Sequence, residues 1–167
     1  MPDILVLGDI NADLAGSLPF FPREGDDSQL QSLTWCSGGA AVNTATALAL
    51  LGGSVGLIGR VGGDPAADVA LRAAASAGVD LRLVQRDAAL ATGLCLAAVS
   101  PGGQRTFFSF RGANVALDHE PLATADTGGA LLHLCAHSLL EEPQRGSALR
   151  IADEALRRHM LLSLDLC

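Results

Sequence analysis

SGGAAVN at residues 37–43 runs directly into TATALALLGG at 44–53, and the reading of this stretch decides the fold. Two adjacent glycines precede a helical pattern that places Ala41, Ala45, Leu48 and Leu51 on one stripe. Gly38 and Gly39 carry no Cβ, so a backbone can approach a ligand there. The first helical turn offers unpaired N–H donors. Asn43 lies in that turn, where its amide both donates and accepts. A glycine-rich turn entering a helix is equally a purely structural device, so the surroundings must choose between the two.

Working outward, apolar runs of strand length alternate with helical patterns. Residues 4–8 (ILVLG) form a continuous apolar run of the kind a strand buried on both faces requires. Runs at 55–59, 130–134 and 161–166 read as further strands. Helices are predicted at 40–51, 66–77 and 143–158. Gly52-Gly53 and Gly78 stop the first two helices. The alternation predicts an α/β fold with a doubly wound, mostly parallel sheet and right-handed connections. Segments 11–35 and 92–112 break the pattern with short strands and turns, including the hairpin turn SPGGQ at 100–104. In the second segment both faces are apolar. That sheet therefore either pairs with a partner or packs on its own domain.

Composition narrows the function classes. The 167 residues carry a formal net charge of −7, and all eleven cationic residues are arginines. No window clusters them, which argues against a nucleic-acid partner. Without lysine, anionic groups must be held by guanidinium forks or backbone amides, and a P-loop lysine is excluded. No apolar run approaches the roughly 20 residues that span a bilayer. The acidic start MPDILVLG does not read as a signal peptide, so no membrane and a cytoplasmic location are expected. Cys36, Cys95, Cys135 and Cys167 lack the close spacing of a zinc site. His133 and His137 flank Cys135, but on a strand entering a loop, so no metal is expected there. Asp153, Glu154, Arg157 and Arg158 read as a solvated helix face with i,i+4 pairs.

With these residues in view, the chain resembles the N-terminal half of the ribokinase-like (PfkB-type) carbohydrate kinases, most closely the fructokinase-like branch. The resemblance is carried in order by ILVLG–DINADL, the glycine pair with Asn43, GLIGRVGGDPAADVALRAAASAGVD at 56–80, ATG at 91–93, RTFFSFRGAN at 105–114 and LLHLCAHSLLEEP at 131–143. It implies one ribokinase-like domain over residues 1–167, with 11–35 and 92–112 inserted as a small β lid. It also implies an ATP- and Mg²⁺-dependent kinase acting on a small-molecule sugar, and a homodimer paired through the lid. Kinases of this family are nearly twice as long, and their second half carries a Gly-Ala-Gly-Asp signature whose Asp is the general base. No segment here is that signature. Gly62-Gly63-Asp64 imitates it, but Asp64 stands before Pro65 where a helix N-cap belongs. No catalytic base is therefore expected in this chain, which reads as the sugar-binding half. Used alone it is expected to be inactive. A nucleoside kinase of the same fold, or a non-catalytic sugar-binding or dimerisation module, are the alternatives.

Candidate site residues follow from position and chemistry. Asn11 and Asp13 lie just past the carboxyl end of the first strand, where open α/β sheets bind ligands. A carboxylate beside an amide suits vicinal hydroxyls. The resemblance implies sugar contacts at Asp13, Gly38, Gly39 and Asn43. Arg111, before Gly112-Ala113-Asn114, either turns into the cleft to hold an anionic or hydroxyl-rich group, or lies over Phe108 or Phe110. Arg105 reads as solvent-facing. Asp165 closes the last strand, and a role for it is doubtful.

Overall fold

The computed structural model describes residues 2–120 and 129–166. Its centre is β1 (Ile4–Leu7), where Leu5, Val6 and Leu7 are fully sealed from solvent. β1 pairs in parallel with β4 (Val55–Gly62) and β8 (Leu131–Cys135); β5 (Val84–Asp87) extends β4, and β9 (Leu161–Asp165) extends β8. The order is β5-β4-β1-β8-β9.

Side-chain alternation along β1 assigns each face its own core. Val6 joins Leu57, Val61 and the small residues Ala41, Ala45, Ala67, Ala70 and Ala74 of α1 (Ala40–Leu50) and α2 (Pro65–Ser76). Leu5 and Leu7 join Leu132, Ala148, Ile151 and Ala155 on the side of α3 (Gln144–Arg157). Alanine stripes let these helices approach the sheet closely. Each buried Leu or Val contributes roughly 1.5–3 kcal/mol relative to exposure. The stripe on α1 ends one turn early: Leu48 is partly buried, but Leu51 falls at the cap and is 86% exposed. Asp64 caps α2, accepting from the Ala67 amide, with Pro65 at the first helical position. The pairs Arg157–Asp153 and Arg158–Glu154 lie along α3.

The two interrupting segments meet in a second sheet, ordered β3 (Ser32–Gly38), β2 (Asn11–Ser17), β6 (Gly93–Val99), β7 (Arg105–Phe110). β2 pairs antiparallel with β3 and parallel with β6, and β6 with β7 forms an antiparallel hairpin. In its turn Ser100 donates to the Gln104 carbonyl, and Gly103 takes the positive φ that the bend demands. The first sheet is dry on both faces at β1, while its edge strand β9 keeps Leu161, Leu162 and Leu164 exposed. The second leaves every residue of β7 exposed.

Candidate functional site

Where β1 ends and β2 begins, the two sheets and the start of α1 enclose a cavity of about 600 Å³. Asp9, Asn11 and Asp13 enter from the β1–β2 crossover, Gly39 and Asn43 from the head of α1, and Cys95, Phe107 and Ser109 from the second sheet. The register explains the grouping. Asp13 stands opposite Cys95 and Cys95 opposite Ser109, so these side chains share the face turned toward α1. Phe110, Arg111, His137 and Leu140 close the rim.

Asp13 is the chemically distinctive member. Its Oδ1 is buried with no hydrogen-bond partner, and burial pushes the carboxyl above its ordinary value. An acceptor left unsatisfied in a cleft costs stability until a donor reaches it. Gly38 explains how the carboxylate fits. A Cβ on Gly38 would fall inside the Asp13 carboxyl group, so the glycine makes room for that side chain. Gly38 is set behind Asp13 and is not among the residues lining the cavity, where Gly39 is. Gly39 does line it, at φ +90°, and a Cβ there would strike the Asp9 carbonyl. Both glycines are thus required by the protein's own atoms.

Asn11 is held in place by Asn114, whose Nδ2 donates to Asn11 Oδ1 at 2.8 Å. Asn114 is buried; its Oδ1 accepts from the Ile10 amide at 2.8 Å, and its Nδ2 also donates to the Arg111 carbonyl at 3.0 Å. One amide therefore clamps the β1–β2 crossover to the end of β7. Gly93 leaves space for that amide, since a Cβ there would meet both asparagine side chains. Asn43 is exposed on the first turn of α1 and points into the cavity with no side-chain partner drawing it elsewhere among the described residues.

Arg111 turns inward, where protein groups engage its two terminal nitrogens and its buried Nε has no partner. Its guanidinium pairs with Asp9 (2.9 Å) and Glu141 (2.9 Å) and donates to the His137 carbonyl (2.8 Å) and Gln144. Neither sequence alternative described this. Asp9, Asn114, Glu141 and Gln144 were all missed as site residues. For Asp9 a signal existed: it stands two residues before Asn11 on the same edge.

The glycine-aspartate imitation is settled by Thr92. Asp64 accepts from the Thr92 amide and hydroxyl, both at 2.7 Å, as well as from Ala67. Burial pushes the Asp64 carboxyl up, but hydrogen bonds from Thr92, Ala67 and Ala66 outweigh it and hold the group below its ordinary value. Asp64 is a structural cap that joins α2 to the start of β6.

The sequence pattern of the pfkB family carbohydrate kinases matches residues 1–164. A fructokinase from Klebsiella pneumoniae is 38% identical over 157 residues, covering 93% of this chain and 47% of that protein. Among solved structures, the fructokinase of Halothermothrix orenii superposes with a TM-score of 0.83 at 21% identity, over 99% of this chain and 57% of that one. The ribokinase of Arabidopsis thaliana, solved with ribose and ATP, gives 0.82 at 21% identity, over 99% and 53%. These structural likenesses establish the α/β fold, and the chain spans about half the length of the relatives it matches.

Proposed function

The chain belongs to the pfkB family of carbohydrate kinases, and on that premise we propose that its cleft is the sugar site of an ATP-dependent, fructokinase-like kinase. The observation that carries this reading is the buried, unpartnered Oδ1 of Asp13, a residue that lines a cavity large enough for a monosaccharide. A sugar hydroxyl supplies the missing donor. Asn11 and Asn43 each present an amide to neighbouring hydroxyls. Gly38 acts indirectly, by keeping the Asp13 carboxylate in place, and Gly39 lets α1 begin against the crossover.

Mg²⁺–ATP, when bound, supplies the phosphoryl group for a sugar hydroxyl. Among the described residues no three His, Cys, Asp or Glu side chains gather to hold a metal ion. This chain's own contribution is binding, orientation and exclusion of water, which for phosphoryl transfer is a large share of catalysis. The base and nucleotide contacts are assigned to the part of the fold that the longer relatives carry beyond the matched half. The 167 residues alone are therefore proposed to bind sugar without turning it over.

Homodimerisation through the second sheet is supported by exposed apolar residues on the face turned away from the cavity, Leu33, Trp35 and Phe108. No helix among the described residues is long and apolar enough to cross a membrane. Cys36 and Cys95 are free thiols, which fits the proposed cytoplasmic location.

Calorimetric titration with D-fructose tests the site. Binding is expected for the unmodified chain. Asp13→Asn should weaken it by about ten- to a hundredfold, the worth of a hydrogen bond to a charged group. Undiminished binding by that variant would refute the assignment.

A further inference from the structure

Arg111 is the one arginine among the described residues lining the cleft; both its terminal nitrogens are engaged by protein groups, and its buried Nε alone has no partner. Nη2 lies 3.0 and 2.9 Å from the two Asp9 oxygens, and Nη1 lies 2.9 Å from Glu141 Oε1. Asp9 is fixed from behind by Gln144, whose Nε2 donates to its Oδ1 at 2.7 Å, and both residues are buried. The guanidinium charge is thus matched twice over by Asp9 and Glu141. Asp13 adds a further carboxylate, with no arginine paired to it among the described residues.

We infer that Asp9 is a specificity-determining residue: by occupying Arg111 it makes the cleft a receptor for neutral polyols and excludes sugars bearing a carboxylate or phosphate. This rests on the sugar-site reading above and adds the charge class of the ligand and the residue that sets it. An anionic sugar entering the cleft has two options, and both are unfavourable. It can face the Asp13 carboxylate, where like charges repel in a partly desolvated site. Alternatively it can take Arg111, which leaves Asp9 buried with only the Gln144 amide; stripping a buried charge of its partner is strongly destabilising. Discrimination here works by an unpaired charge raised against the wrong ligand. Asp9 acts through Arg111 and is a positioning residue.

The test compares ligands of one shape and different charge. D-fructose is titrated against 2-keto-D-gluconate and D-fructuronate, its analogues with a carboxylate at either end, using the unmodified chain, Asp9→Asn and Glu141→Gln. The unmodified chain should prefer fructose to both acids by at least about tenfold. Asp9→Asn should shift that ratio toward one of the acids by about tenfold, through gained affinity for the acid. Glu141→Gln, altering the exposed partner, should shift it in the same direction by less. A merely structural role for Asp9 would lower both affinities together and leave the ratio unmoved. That outcome, or comparable binding of fructose and an acid by the unmodified chain, overturns the inference while the sugar site stands. Binding of no ligand in the set overturns the sugar site and the inference with it. Should Asp9→Asn fail to fold, the unmodified chain's ratio and the Glu141→Gln shift decide the matter in the same way.

Discussion

In the five-stranded sheet, Leu5, Val6 and Leu7 of β1 are sealed from solvent on both sides, whereas in the four-stranded sheet every residue of β7 is exposed. Both sheets are rich in apolar side chains. The first finds covering layers for its central strands within the chain, in α1, α2 and α3, and leaves apolar residues open only along its edge strand β9 among the described residues. The second covers the cavity with one face and on the other leaves Trp35 and Phe108 about half exposed. Central strands whose apolar residues are satisfied by the chain's own helices hold the fold. A sheet that leaves them open is suited to a ligand and a partner. The cleft lies where these two regimes meet.

Removing core volume should show the contrast most strongly. Leu57→Ala is expected to destabilise the chain by about 2–5 kcal/mol in urea denaturation, because its cavity is lined by residues that cannot collapse fully. Phe108→Ser in the second sheet should change monomer stability by no more than about 0.5 kcal/mol. Comparable losses at the two positions would erase the distinction. Gly39→Ala comes next. It forces a Cβ toward the Asp9 carbonyl at positive φ, so about 1–3 kcal/mol of stability should be lost together with sugar binding. An unchanged melting temperature would show that the crossover is looser than the close approach implies.

The joint variant Trp35→Ser/Phe108→Ser sharpens the comparison from the partner's side. Sedimentation should find the unmodified chain self-associating and the variant monomeric, with nearly the same melting temperature. Equal association of the two would remove the second sheet from the interface.

Asp13→Asn has the smallest expected effect on stability, and an informative sign. Burial raises the folded-state carboxyl above 3.8, so the native chain holds that proton more tightly than the unfolded chain. The resulting penalty is absent below the unfolded value, grows as pH rises through the interval between the two, and is constant above the folded value. Asp13→Asn should therefore match the unmodified chain in acid and melt slightly higher at neutral pH. Sugar affinity of the unmodified chain should fall as pH drops through the raised value, as the acceptor is protonated. A variant that melts lower at neutral pH would mean that the carboxylate has a stabilising partner.

Much of the first sheet was legible because its signals are local. The apolar run at β1, the Asp64-Pro65 helix start and the glycine turn at 100–104 each declare themselves within a few residues. Leu51 misled because a helical stripe does not say where the cap falls. The cleft was half legible. Asn11, Asp13, Gly39 and Asn43 carry their chemistry in residue type and position. What Arg111 does depends on Asp9, 102 residues earlier, and on Gln144, 33 residues later, a pairing that no periodicity encodes. Gly38 was flagged for its missing Cβ, yet the group occupying that space, the Asp13 carboxyl, is set by strand register and not by neighbours in sequence.

Native thiols provide the most direct measurement of the central claim, that a sugar occupies the junction of the two sheets beside Asp13. Cys95 lines the cavity, and fully buried Cys135 serves as an internal reference. Alkylation followed by mass spectrometry, with and without saturating D-fructose, should show Cys95 protected by the sugar in the unmodified chain. In Asp13→Asn the same sugar concentration should leave Cys95 reacting at its free rate, while Cys135 stays unreactive throughout. Equal Cys95 rates with and without sugar, in a chain that calorimetry shows to be saturated, would place the sugar elsewhere and contradict the account.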